Sequence, residues 1–212
     1  MQKAEYRYYE ISQDMPVLVL TGEKWETVYG MDNMHFHNYL EIGYCHYGKG
    51  TVQLAERELT YDAGTITFIS RNIPHRTCPD PEKADEKQKW EYLFVDSDTI
   101  LKKCFADAPE KYTKLKKDLE QKVFVLDQKS NKRAVELMQM IIEEEQCKRS
   151  NYKYAILTFG LNLLLFFDRL DQKETEEKPL SDTMDYIRKL INYMELHLSL
   201  IHISEPTRLR RI

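Results

Sequence analysis

The sequence predicts an α+β fold, mainly β in its first half and helical in its second. Three observations carry this. Short runs rich in aromatic and β-branched residues, broken by Gly, Pro, Asn or Asp, fill residues 6–95. After Ser130 the apolar period becomes helical. A polar stretch containing Pro179 then precedes a last amphipathic segment.

The β runs are Tyr6–Ile11, Val17–Leu20, Tyr39–Tyr47, Thr51–Ala55, Arg57–Tyr61, Thr65–Ser70 and Trp90–Val95. No helical period passes through them, and many short strands at this spacing predict a sandwich or barrel. Between the last two, Asp80–Lys89 is charge-rich and reads as a solvated loop. In the second half, Ala134, Leu137, Met138, Ile141 and Ile142 form one helical stripe, with Ser130 and Asn131 as caps. A break at Arg149–Asn151 precedes Tyr154–Leu170, which is apolar on nearly all sides. This run predicts a helix buried on two faces, one against its own domain and one against a partner. Leu137, Met138, Ile141, Phe159, Leu163 and Phe166 are the expected dimer seam. Asp171–Asp182 has linker composition, and Met184, Ile187, Leu190, Ile191 and Met194 stripe a third helix.

The net charge is −4, with 42% hydrophobic and 31% charged residues, which suits a soluble cytoplasmic protein and lacks the basic footprint of a free-standing DNA-binding domain. No secretory signal or membrane span is expected. The four cysteines (Cys45, Cys78, Cys104, Cys147) are scattered without a C-x-x-C pair and read as reduced thiols. No phosphate-binding glycine loop or nucleophile elbow is present, so no catalytic residue is assigned.

The chemistry concentrates in "HFHNYLE", His35–Glu41. On one continuous strand, His35, His37, Tyr39 and Glu41 share parity and project to one face. His75 in "NIPHR" is a fourth candidate. Imidazoles and a carboxylate on one face suit a divalent transition metal. They also suit hydrogen bonds to an organic effector, with Tyr39 as a stacking ring, or a satisfied polar network. His46 falls outside the parity set and reads as surface. Tyr44, Tyr47, Trp90 and Tyr92 read mostly as core.

These residues carry a resemblance. His35, His37 and Glu41 followed by Gly48 resemble the first cupin motif, with Gly30 slightly closer upstream than the pattern expects. "GTITFISRNIPHR", Gly64–Arg76, resembles the second motif. The resemblance implies a small double-stranded β-barrel, cupin-like, over about residues 5–95, with His35, His37, Glu41 and His75 as ligands where metal is bound. Barrel, helix pair, polar linker and "YIRKLINYMELHLS" in that order resemble the AraC-type bacterial transcription regulators. That implies effector-binding residues His35, His37, Tyr39, Glu41 and His75. It also implies a small-molecule effector, with a sugar among the candidates, a homodimer, and DNA contact only through a C-terminal helix-turn-helix domain. The alternative is a metal-dependent cupin enzyme of dioxygenase or sugar isomerase type. No cofactor beyond such a metal is implied.

The expected layout is therefore a cupin domain with connecting segment over 1–127, a helical dimerisation pair over 128–170, a linker over 171–182 and a first helix of a helix-turn-helix domain over 183–198. Ser199–Arg208, "SLIHISEPTR", resembles a translated sequencing adapter. Residues 199–212 are set aside on that ground, and the natural chain is expected to continue differently after Leu198.

Overall fold

A strand covered on one face alternates apolar and polar residues, whereas one covered on both faces is buried throughout. Leu40–Cys45 is buried at every position, and so is Thr65–Ile69. The fold follows from these two-sided strands. The computed structural model describes residues 4–22, 26–27, 33–54, 57–83 and 86–170, with 186, 189–191, 193–194 and 197.

The strands are β1 (Glu5–Arg7), β2 (Val17–Leu20), β3 (Glu26–Thr27), β4 (His35–His37), β5 (Leu40–Tyr47), β6 (Gly50–Leu54), β7 (Arg57–Tyr61), β8 (Thr65–Ile69), β9 (His75–Pro79), β10 (Gln88–Val95) and β11 (Val123–Asp127). The helices are α1 (Ser97–Cys104), α2 (Pro109–Glu120), α3 (Lys132–Cys147) and α4 (Tyr152–Arg169). One sheet has the order β1-β4-β9-β6-β7, and the other β11-β8-β5-β10-β2 with β3 on β10. All pairs are antiparallel except β1 with β4. The sheets face each other as an α+β, cupin-like barrel. Gly48 (φ 119°) and Gly64 (φ 90°), the motif glycines, hold left-handed turns on either side of the β6–β7 hairpin, conformations that favour glycine.

Alternation sorts the second sheet. Leu40, Ile42, Tyr44, Ile66, Phe68, Leu93, Val95, Phe124 and Leu126 pack against the helices. Glu41, Gly43 and Cys45, of opposite parity, turn to the barrel interior. Phe167 of α4 is fully buried, its ring 4.4 Å from Phe68 and 6.1 Å from Phe124. The helices α3 and α4 pack on each other across a short turn with left-handed Lys148 and Asn151, at the break the sequence predicts.

The helix pair is no separate module. Residues of α1, α2, α3, α4 and the second sheet form one core, through which the expected boundary at 127/128 passes. Leu137, Met138, Ile141 and Leu163, expected at a dimer seam, are buried in this core instead, because the second sheet offers them an apolar face in the same chain. Phe159 and Phe166 are half-buried. Residues 97–127 are not a plain connecting segment; they form α1, α2 and β11, which extends the second sheet beside β8. The expected first run shortens to Glu5–Arg7, and Gln88 of the expected loop is a buried strand residue. Asn131 is the N-cap position of α3, but its side chain bonds the Asp127 carbonyl at 2.9 Å rather than the helix.

Among the described residues no helix is long and apolar enough to cross a membrane. The chain divides into units 1–179 and 180–212. In the second, the described positions of the expected third helix are helical, from Tyr186 to His197, while Met184, Ile187 and the tail 199–212 lie outside the described residues.

Two outcomes follow from the packing. Phe167→Ala should cost about 3–5 kcal/mol in denaturant unfolding, the usual range for a truncated core aromatic. Asp98 accepts from Lys102 at 2.5 Å and Lys116 at 2.6 Å, and from the Tyr112 hydroxyl. Burial pushes its carboxyl up, but the bonds from Lys102, Lys116 and Tyr112 outweigh this and hold it well below the ordinary range. A depressed folded-state value stabilises above the unfolded value of about 3.9 and fades as pH falls below it. Asp98→Asn should therefore lose about 1–2 kcal/mol at neutral pH, with the gap to wild type narrowing below about pH 4.

Candidate functional site

The strand through "HFHNYLE" is broken. Residues Asn38–Tyr39 bend the chain from β4 in the first sheet to β5 in the second. Asn38 holds the bend: its Oδ1 accepts from the Tyr9 amide at 3.0 Å and its Nδ2 donates to the Tyr9 carbonyl at 2.9 Å. The imidazoles and the carboxylate thus meet from facing sheets, not along one strand. On the first sheet, His35 of β4 lies directly opposite His75 of β9. On the second, Glu41 sits between Phe94 and Ile69 on the neighbouring strands.

His35, His37, Glu41 and His75 are all buried, with one ligand atom of each within 4.8 Å of the others. The imidazole centroids are 4.4 Å (His35–His75), 4.9 Å (His37–His75) and 5.9 Å (His35–His37) apart. Glu41 approaches His37 Nε2 at 3.0 Å and His75 Nε2 at 3.5 Å, one carboxylate oxygen to each.

The opposite edge of each ring fixes the chemistry. Nδ1 of His35, His37 and His75 lies 2.8, 2.7 and 2.8 Å from the carbonyls of Asn33, Tyr39 and Ile73. A carbonyl only accepts, so each Nδ1 carries a hydrogen. In the neutral rings Nε2 is then the lone-pair atom. An ionised Glu41 only accepts, so the Nε2 atoms facing it must either hold a hydrogen or give way to a metal ion among them. Burial pushes the Glu41 carboxyl up, but the charge on His75 and the hydrogen bonds from His37 and His75 outweigh it and hold it well below the carboxylate range. The residues fit a divalent transition metal: nitrogen and oxygen donors converge, and each imidazole is oriented by a backbone carbonyl as ligating histidines are.

Of the five residues expected to bind an effector, the structure brings four together: His35, His37, Glu41 and His75. Tyr39 does not join them; its carbonyl orients His37, and its side chain lies beside a small cavity near Asp96, bonded to the backbone at Ile11. The bend rotates it away from the parity a continuous strand would give. His46 is at the surface with Glu91 at 2.7 Å, as expected. Tyr44 and Trp90 are core, while Tyr47 is exposed. Gly30 lies outside the described residues. Sequence reading passes over Phe94 and Tyr9, which wall the cluster. The Phe94 ring meets His37 edge-on at 4.8 Å, and Tyr9 stacks on Phe94 at 4.1 Å. Pairing of β10 with β5 puts Phe94 beside Glu41 and could have revealed it; nothing local marks Tyr9.

Fold and cluster together define a class, the small β-barrel binding domain with polar groups converging inside. Residues 18–111 match the model of the AraC-like ligand binding domain. The match covers a little less than half of the chain. Two solved structures of ToxT from Vibrio cholerae resemble it. One, bound to an unsaturated fatty acid, is 12% identical with a TM-score of 0.48 and covers 92% of this chain and 65% of its own. The other is 12% identical with a TM-score of 0.46 and covers 92% and 67%. The AraC-like transcriptional activator CuxR is 13% identical with a TM-score of 0.36, covering 76% and 52%. The chain thus spans just under two thirds of the first ToxT chain. No curated protein matches it.

Proposed function

We propose that this chain is the effector-sensing part of an AraC-type transcription regulator, and that the buried cluster of His35, His37, Glu41 and His75 is its effector site. The supporting observation is the buried convergence of three imidazoles and a carboxylate inside a barrel that matches the AraC-like ligand binding domain. A divalent transition metal ion is the occupant those donors suit best. A hydroxyl-bearing organic effector such as a sugar is the second reading, favoured by the aromatic wall of Tyr9 and Phe94. The same ligands would serve a metal-dependent cupin enzyme, but the family match favours sensing. In this reading the protein works in the cytoplasm as a homodimer, and DNA contact belongs to a helix-turn-helix region. Its mechanism is a population shift, in which the effector favours one of two arrangements of the domain.

Elemental analysis of the purified protein tests the occupant. The expected result is about one divalent metal per chain, with affinity reduced at least about tenfold in His37→Ala. A protein that neither carries metal nor binds added zinc, nickel or manganese in calorimetry, but warms its unfolding transition with a sugar, would favour the organic effector.

Oligomeric state is the second test. With Leu137, Met138, Ile141 and Leu163 occupied internally, Phe159 and Phe166 are what α4 offers a second copy. Sedimentation at micromolar concentration should give a dimer, shifted toward monomer by Phe166→Lys. A clean monomer for the unmodified chain would remove the dimer from this proposal.

A further inference from the structure

The helix α4 ends without a glycine cap. Its C-cap residue, Leu170, is extended (φ −68°, ψ 127°), so the last carbonyls need another partner. Lys122 supplies it. Its ammonium lies 3.1 Å from the carbonyl of Phe167 and 3.3 Å from that of Leu170, and also bonds the Asp168 carbonyl. A cation there also complements the negative end of the helix dipole.

The same residue is held at its other end. Its backbone carbonyl accepts from the Ser70 hydroxyl at 2.7 Å, and that hydroxyl also lies 2.6 Å from the carbonyl of Leu119, the buried penultimate residue of α2. Ser70 is 1% exposed and opens the turn from β8 to β9. Beside it, Arg71 pairs with Glu120 at 3.2 Å. Asn72, left-handed at φ 60°, donates its amide to the His37 carbonyl at 2.9 Å. Ile73 orients His75 through its carbonyl. The turn Ser70–Ile73 thus touches two of the cluster's imidazole residues on one side and the Lys122 corner on the other. Phe68, Phe124 and Phe167 back the joint with packed rings from β8, β11 and α4.

We propose that Lys122 is a latch joining the buried cluster to the end of α4. The inference rests on the cluster being the effector site. Two states of the last turn of α4 are set against each other, one capped by Lys122 and one frayed. An occupied cluster holds the Ser70–Ile73 turn, the turn holds the Lys122 corner, and the corner holds the cap. Beyond Leu170 the chain runs into the polar segment Asp171–Asp182, so the end of α4 is where the barrel's state meets whatever follows in sequence.

Hydrogen exchange on the full 212-residue protein tests this as a double-mutant cycle. Lys122→Met keeps the alkyl stem and removes the cap; His37→Gln perturbs the cluster. Amides of residues 165–170 should exchange at least about fivefold faster in either single variant. The double variant should be no faster than Lys122→Met alone, and α3 amides should be unchanged. Glu41→Gln and Ser70→Ala repeat the cycle should His37→Gln unfold. Equal last-turn exchange in wild type and cluster variants, or additive effects, overturns the latch. Zinc titration separates the two ideas. Lys122→Met should still bind zinc, weakened only by about the factor by which zinc slows exchange at the end of α4 in the wild type, and should lose that slowing. If zinc does not bind the wild type, the metal reading fails while the cycle still decides the latch. If zinc binds and the cycle shows no coupling, only the latch fails.

Discussion

Strand β5 is covered on both faces, and this double burial organises the molecule. A strand must send alternate side chains to opposite sides. With helices on one face and the first sheet on the other, both sets have to be buried. Leu40, Ile42 and Tyr44 serve the helix core, so Glu41 between them is sent into the barrel. An isolated carboxylate could not stay ionised there. It is tolerable because His37 and His75 reach it from the facing sheet. Core packing on one side of β5 therefore places the charge on the other.

The cluster has an unusual balance. Each imidazole spends its Nδ1 hydrogen on a backbone carbonyl two residues away, at Asn33, Tyr39 or Ile73. This orients the rings without help from other side chains. It also leaves the centre rich in acceptors, so its occupancy bears on the local fold. Its neighbours are structural elements in their own right: the Asn38 bend, the left-handed Asn72 turn and the Phe94 wall. A ligand bound here would press on the barrel's joints, in keeping with the proposed sensing role.

Where sequence reading succeeds and where it misses have physical causes. Val17–Leu20 and Arg57–Tyr61 are recovered to the residue because β-branched and aromatic side chains are flanked by turn residues. The α3 stripe is visible because its apolar residues keep a helical period over 16 residues. The short helices α1 and α2 bury only two apolar residues each and carry many lysines, so their amphipathic signal is thin. Strand β11 is an apolar run whose character depends on its partner β8, 62 positions back in the pairing of Asp127 with Thr65 and 54 in that of Val123 with Ile69. The site was legible residue by residue through the spacing of its histidines and glutamate, but the parity argument assumed one strand where two sheets contribute. Tyr39 departs from the expected position for that reason, and Tyr9, held by its backbone bonds to the Asn38 side chain, leaves no local mark.

The sequence by itself determined the change from strands to helices, the identity of the four converging donors, and the motif positions of Gly48 and Gly64. These depend on local propensity and spacing, which short segments carry. Tertiary structure alone decided which apolar stripe meets which surface. Leu137, Met138, Ile141 and Leu163 could have faced a partner, and they are core because β5, β8 and β11 offer the same chain an apolar sheet. It also decided that three histidines would each turn Nδ1 to a backbone carbonyl and that Lys122 would close a helix 45 residues away at Phe167. Hydrophobic stripes and charged side chains specify the kind of partner they need. Only the folded chain determines which partner is within reach.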